Sequence, residues 1–113
     1  MFKSRITKKE KRCLVGLKEI CRKYEMDNIY SIGETCEQRV CMCKRKGIWE
    51  VFIVERGIEF EKHIYEECID ACVSVLEYCS YCTQELEDAL RDFRNILKIN
   101  IQNKTMIKKQ CKL

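Results

Sequence analysis

The run Ile48-Trp49-Glu50-Val51-Phe52-Ile53-Val54-Glu55, closed by Arg56-Gly57, constrains the fold of this chain more than any other segment. It is the only long β-type run, and it holds the only tryptophan. Successive side chains of a strand point to opposite faces of a sheet. Trp49, Val51 and Ile53 therefore share one face, and Ile48, Phe52 and Val54 share the other. Both sets are apolar, which makes this the central strand of a sheet.

Three further strand-like segments fit around it. Ile29–Ile32 is short and ends at Gly33-Glu34. Glu37–Lys44 alternates, with Val40 and Met42 on one face and Arg39, Cys41 and Cys43 on the other. Arg45-Lys46-Gly47 supplies a tight hairpin into the central strand, with Gly47 where a positive φ is needed. After the Arg56-Gly57 turn, Ile58–His63 is expected to place Ile58 and Phe60 inward and Glu59, Glu61 and His63 outward. Connections this short are expected to join antiparallel neighbours, so residues 29–64 read as a four-stranded antiparallel meander.

Helices flank this sheet. Residues 5–25 read as an amphipathic helix, with Ile6, Cys13, Leu14, Leu17, Ile20, Cys21 and Tyr24 at spacings of three and four and charged residues between. Asp27-Asn28 is its expected stop. Gly16 inside it costs about 1 kcal/mol relative to Ala, which points to close helix packing. From Tyr65 to about Asn100 there is no Gly or Pro, and a heptad holds. Tyr65, Cys72, Cys79, Leu86 and Phe93 form one line, and Cys68, Val75, Cys82, Ala89 and Ile96 the other. Ile69, Val73, Leu76, Leu90 and Leu97 widen the stripe. The region 65–101 is one long helix or two stacked ones. Two are favoured, with a break near Ser80–Thr83, because a single helix of ~35 residues would span ~50 Å and overhang so small a sheet. The basic tail 102–113 is expected to fray. The fold class is α+β, in one domain of 113 residues.

Composition narrows the function classes. With 46% hydrophobic and 35% charged residues, the chain is neither disordered nor membrane-embedded. No apolar run approaches the roughly 18 residues of a membrane span. The start, Met1-Phe2-Lys3-Ser4-Arg5, leads into Lys8-Lys9-Glu10-Lys11-Arg12 without an apolar segment behind it, so a cytosolic location is expected. Ten cysteines would suit a secreted disulfide scaffold. The lack of an export signal, the absence of proline and the presence of only four glycines argue for reduced thiols acting as small hydrophobes.

The spacing of the cysteines raises the question of metal sites. Cys68 and Cys72, with Cys79 and Cys82 and His63 nearby, invite a zinc reading. Cys68 and Cys82 lie ~21 Å apart along a helix, so one ion cannot reach all four. They also fit the apolar stripe, so core packing is preferred. Cys36, Cys41 and Cys43 have poor geometry for a zinc knuckle and are likewise assigned to burial. No metal or cofactor is expected. The single histidine, His63, sits at an outward position of an edge strand, and no phosphate loop, serine elbow or paired-acid motif accompanies it. A non-enzymatic role is expected.

Charge is unevenly distributed. Residues 1–25 carry nine Lys/Arg against three Glu, residues 64–94 carry eight Asp/Glu against two Arg, and residues 95–113 carry five Lys and no acid. The acidic element can be a solvated face or a docking surface for a basic partner. The basic cluster Lys3, Arg5, Lys8, Lys9, Lys11 and Arg12 has no interleaved aromatic except Phe2 and no helix-turn-helix, so a solvated helix face is preferred over nucleic-acid binding.

Tyr30-Ser31-Ile32-Gly33, the strand carrying Cys41, Gly47-Ile48-Trp49-Glu50-Val51-Phe52, Glu55-Arg56-Gly57 and the helical Glu66-Glu67-Cys68-Ile69-Asp70-Ala71-Cys72 together resemble small bacterial immunity proteins of polymorphic-toxin and contact-dependent inhibition systems. The nearest likeness is to the immunity protein 59 family, over about residues 29–80. The Trp-x-Val-x-x-x-Glu-Arg-Gly spacing is its most specific part, and the chain departs at Phe52, where the family often has Tyr. The resemblance implies a cytosolic, non-enzymatic protein that binds one cognate toxin domain and blocks it. Such toxins are often nucleases with basic surfaces. The implied contacts are Glu66, Glu67, Asp70, Glu77, Glu85, Asp88 and Asp92, with Glu59 and Glu61 on the neighbouring strand. Glu55 and Arg56 are assigned to turn structure and Trp49 to the core. Two alternatives stand beside it: a cysteine-based metal- or redox-responsive regulator, and a homo-oligomer assembled through the helical stripe.

Overall fold

The computed structural model describes residues 5–111, and side chains as far as Lys98. Its elements run α1 (Lys8–Lys23), β1 (Tyr30–Ile32), β2 (Val40–Arg45), β3 (Ile48–Glu55), β4 (Ile58–Tyr65), α2 (Cys68–Cys79) and α3 (Thr83–Cys111). The class is α+β, and the central strand coincides with the apolar run that marks it in the sequence. The sheet order is β1-β2-β3-β4.

Helix α1 begins with a reciprocal cap. Thr7 Oγ1 accepts from the Glu10 N–H at 3.1 Å, and Glu10 Oε1 accepts from the Thr7 N–H at 2.9 Å. Glu10 has two further partners in the sheet. Lys44 Nζ donates to it at 2.8 Å, and the indole N–H of buried Trp49 donates at 2.6 Å. Desolvation alone would raise the pKa of Glu10, but the hydrogen bonds from Lys44, Thr7 and Trp49 outweigh it and hold the carboxyl at about 2. The helix ends earlier than Asp27-Asn28. Glu25 takes a left-handed φ of 58°, its N–H reaches the Arg22 carbonyl at 3.2 Å, and the Met26 N–H reaches the Cys21 carbonyl at 2.7 Å. This is the Schellman pattern with Glu in the place usually held by Gly, and buried Met26 closes it against buried Cys21. Gly16 faces α3, where an added Cβ would lie 3.4 Å from Ile96 Cγ2 and 3.5 Å from Phe93 Cε1.

The meander needs one correction. The pairs β2–β3 and β3–β4 are antiparallel, but β1 pairs with β2 in parallel, Tyr30 opposite Val40 and Ile32 opposite Met42. Parallel neighbours usually need a crossover of a dozen residues. Here β1 is only three residues, ~10 Å long, and the seven residues 33–39 can span more than ~20 Å. The expected start of β2 at Glu37 falls in this crossover. The loop is fastened by Gly33 N–H to Met42 O at 2.8 Å and Gln38 N–H to Val54 O at 2.8 Å, with Gly33 and Gln38 both at positive φ.

Both hairpins turn on two residues of positive φ, Lys46-Gly47 and Arg56-Gly57, the type I′ geometry that matches strand twist. The Glu37 carboxylate accepts from the backbone N–H groups of Arg56 and Gly57 and pins the second turn. β4 departs from simple alternation. Val51 pairs with His63 and Ile53 with Phe60, so β4 carries one extra residue there, and Glu61 has a φ of 50°. Ile58 and Phe60, expected inward, are 58% and 45% exposed. They share a face with Ile53 by register, at the end of the sheet that the helices leave uncovered.

The C-terminal region forms two helices with the break at residues 80–82. Tyr65, the first residue of the heptad, is the end of β4, although it still packs against the core. Helix α3 continues to Cys111, past the expected helical limit at 101. The side chains of the basic tail, and residues 112–113 altogether, lie outside the described residues. α2 packs on β2, β3 and β4, while α1 and α3 pack on α2 and on each other. The main core joins Leu17, Ile20, Val75, Leu76, Ala89 and Phe93 to Val40, Met42, Trp49 and Val51. Cys41, Cys43, Phe52 and Val54 form a second cluster on the opposite sheet face, flanked by Cys36. No helix among the described residues is long and apolar enough to cross a membrane.

Two outcomes follow for stability. Glu10→Ala leaves the buried Trp49 indole without its acceptor and should cost about 2–3 kcal/mol in urea unfolding at pH 7, whereas Glu10→Gln, which keeps one acceptor oxygen, should cost about 1 kcal/mol. Because the folded-state pKa lies below the ordinary 4.5, this stabilisation is present above pH 4.5 and is lost as pH falls toward 2, so the gap between wild type and Glu10→Gln should close over that window. Glu25→Gly relieves a left-handed non-glycine residue and should stabilise the chain by roughly 0.5–1 kcal/mol, read as a raised Tm.

Candidate partner-binding surface

The two faces of the sheet are finished differently. α2 covers one. Over the other, among the described residues, lies a lattice of ion pairs. Arg45 Nη1 and Nη2 hold Glu59 at 3.1 and 2.9 Å, and Nη1 also reaches Glu50 at 3.0 Å. Lys62 Nζ lies 2.7 Å from Glu59 and 3.4 Å from Glu50. The two cations sit 4.9 and 5.3 Å from the Phe52 ring centre, so the aromatic face is roofed by charge. Hydrogen bonds from Arg45 and Lys62 hold the Glu59 carboxyl at about 2. Beside the lattice is a polar recess of about 220 Å³ between the crossover and the second hairpin, lined by Thr35, Cys36, Glu37, Val54, Gly57 and Glu59.

The nine carboxylates implied as contacts fall into two groups. Four have partners within the fold. Glu59 belongs to the lattice. Asp92 accepts from Lys23 Nζ at 2.7 Å and from the Tyr24 hydroxyl at 2.6 Å, which joins α3 to α1 and lowers its pKa. Asp88 accepts from Arg91 and Gln84, both at 3.1 Å. Glu85 accepts the Tyr81 N–H at 2.7 Å at the start of α3. The side chains of the other five, Glu61, Glu66, Glu67, Asp70 and Glu77, are exposed and make no ion pair among the described residues.

These five gather around β4 and α2. At 100° per residue, Asp70 and Glu77 stand within one narrow stripe, opposite the α2 face that buries Cys68, Cys72, Val75 and Cys79, while Glu66 and Glu67 precede the first turn of the helix. The Tyr78 hydroxyl donates to the Glu61 carbonyl at 2.7 Å, and its ring lies 6.1 Å from the exposed His63 ring, so the end of α2 is fixed to the bulge of β4. Exposed apolar side chains accompany the acids: Phe60 and Ile69 (40% exposed) on the helix side, and Ile64 (63% exposed) on the opposite face of β4. Sequence reading missed these anchors. The sequence places Ile58 and Phe60 inward and Ile69 in the apolar helical stripe, and the extra residue at Glu61, which puts Ile64 on the other side of the sheet, has no glycine to signal it.

The cysteines are distributed through both apolar clusters. Cys13, Cys21, Cys41, Cys43, Cys68, Cys72 and Cys79 are buried, Cys36 is half-buried and Cys82 is exposed. The hydrogen bond from Cys68, and then burial, push the Cys13 thiol up, and burial raises Cys21 and Cys79 to about 12. Among the described residues no group of three or more His, Cys, Asp or Glu is arranged to hold a metal ion.

No protein-family model matches the chain, no curated protein matches it, and no solved structure matches it. The likeness to the immunity protein 59 family therefore stands on the residues that carry it. Trp49 is in the core, and Arg56-Gly57 is the turn held by Glu37.

The thiol environment gives a direct expectation. In a Cys111→Ser background, a thiol reagent at pH 7 should titrate Cys82 rapidly and Cys36 more slowly, and should reach the remaining cysteines only on unfolding. Fast modification of three or more native thiols would contradict this burial.

Proposed function

We propose that this chain is an immunity protein that binds and neutralises the toxin domain encoded beside its own gene, by direct contact and without catalysis. The observation that supports this reading is the unpaired carboxylate group Glu61, Glu66, Glu67, Asp70 and Glu77, accompanied by the exposed apolar residues Phe60 and Ile69 on the helix side and Ile64 at the same strand edge. Apolar anchors ringed by charge of one sign suit a protein partner of the opposite sign. The anchors supply affinity, and the charges supply approach rate and selectivity. Nucleases must attract a polyanion and carry basic surfaces for that purpose, so a nuclease toxin matches this face. Cytosolic action in the producing cell completes the reading.

The test is co-expression. The toxin domain encoded beside the gene is induced in a bacterium with and without this chain, and growth is followed. Wild type should rescue growth. The triple variant Glu66→Lys/Asp70→Lys/Glu77→Lys should fold with unchanged Tm and lose rescue, with an association rate at least tenfold lower at low salt. Soluble wild-type protein that gives no rescue from a toxic neighbour would overturn the assignment.

A further inference from the structure

The free edge of β4 is the longest stretch of unpaired strand backbone among the described residues. β4 is eight residues long and ends the sheet, whereas the opposite edge, β1, has only three. The ladder shows which of its groups are free. On β3, residues 48, 50 and 52 lie opposite the odd-numbered β2 residues 45, 43 and 41, around the Lys46-Gly47 turn. Residues 49, 51, 53 and 55 lie opposite Tyr65, His63, Phe60 and Ile58 of β4. Hydrogen-bonded pairs alternate along an antiparallel ladder. In β4, therefore, Ile58, Phe60, His63 and Tyr65 bond to β3, and the backbone of Glu59 and Ile64 faces outward.

We infer that β4 is a docking edge, at which an extended, basic segment of the partner adds as a fifth strand. This deepens the immunity reading and rests on it. Two observations carry it beyond an ordinary exposed edge. The first is the side chains that frame the edge. Phe60 stands exposed on the helix side and Ile64 on the lattice side, so an added strand meets an apolar side chain on each of its two faces.

The second is charge. Residues 55–79, which comprise β4, its flanks and α2, carry seven acids (Glu55, Glu59, Glu61, Glu66, Glu67, Asp70 and Glu77) against Arg56 and Lys62, in a chain whose net charge is +4. Lys62, the residue type that commonly guards an edge, is folded back onto Glu59 and Phe52. A second copy of this chain would set these acids against themselves, whereas a segment alternating Lys/Arg with apolar residues meets complementary charge. The bulge at Glu61 adds selectivity, because it breaks the straight edge that indiscriminate self-pairing requires.

The edge is tested by amide hydrogen exchange of the full chain, alone and with the toxin domain encoded beside its gene, together with affinity measured for Ile64→Pro and Ile64→Val. Proline is tolerated at an edge position whose N–H faces solvent, and Tm reports whether each variant folds. The Glu59 and Ile64 amides should exchange freely in the isolated chain and become protected in the complex. Ile64→Pro should bind about tenfold more weakly than Ile64→Val. Binding that leaves both amides unprotected overturns the docking edge and leaves the immunity reading standing. No binding at all overturns both. Protection of the same amides in the free chain at high concentration, with a dimer mass, assigns the edge to a second copy and overturns the basic partner. If Ile64→Pro fails to fold, protection of the two wild-type amides decides the matter.

Discussion

The carboxylate of Glu10 is the joint on which the arrangement of the layers turns. It belongs to the first turn of α1, yet its oxygens accept from Lys44 on β2 and from the Trp49 indole on β3. A tryptophan is a large apolar body with one obligatory donor, and burying it needs an acceptor nearby. Here the acceptor comes from the N-terminal cap of a helix, so capping the helix and burying Trp49 are one event. That fixes the start of α1 over the first hairpin. From there Cys13 is carried onto Cys68 and Cys72 of α2, and Gly16 onto Phe93 and Ile96 of α3. Lys44 supplies the counter-charge that keeps the partly buried carboxylate ionised.

With the helices gathered on one side, the other face of the sheet must manage its apolar residues without a covering element. Phe52 is the largest of them. Arg45 and Lys62 lie over it, Glu50 and Glu59 hold both cations in place, and the small thiols Cys41 and Cys43 fill the space beneath. Long cationic side chains are suited to this task, since their stems are apolar and their ends stay wet. The cysteines on both sides act by size. Between α1 and α2 they allow the helices to approach closely, and their raised pKa values keep them as neutral thiols rather than nucleophiles.

Much of this was legible in the sequence, for reasons that can be named. β3 could be read because both its faces are apolar. The two faces of β2 could be read because Val40 and Met42 alternate with Cys41 and Cys43. The helical break at 80–82 could be read because weak helix formers cluster there. What was hidden has a common cause, backbone conformations adopted by residues that do not advertise them. Glu25 ends a helix, Gln38 closes a crossover and Glu61 makes a bulge, all at positive φ and none of them glycine. The bulge puts His63, expected on the outward face, on the same face as Val51, the uncovered end of the sheet leaves Ile58 and Phe60 exposed, and the crossover cost the direction of β1. For the implied contacts, the sequence marked where acids are abundant. It could not separate Asp92, committed to Lys23 and Tyr24, from Glu77, committed to nothing, because that depends on partners more than 60 residues away.

Helix α2 shows why that separation matters. Asp70 lies in its first turn, where the helix dipole favours negative charge. Glu77 lies in the last turn, where the dipole disfavours it, and the last turn carries no basic residue. An isolated protein gains nothing from an unneutralised carboxylate at that place, and Asp70 on the same side of the helix, with Glu66 and Glu67 just before it, adds self-repulsion. Elsewhere the chain pairs its acids closely, at Glu10, Glu59 and Asp92, so it does not lack cations with which to balance them. Exposed acids without an ion pair among the described residues also occur elsewhere, at Glu19, Glu34 and Glu87, and the group around β4 and α2 is set apart by its place along an unpaired strand edge. A basic partner removes both penalties on docking, and screening over roughly 8 Å at physiological salt still lets the stripe guide its final approach.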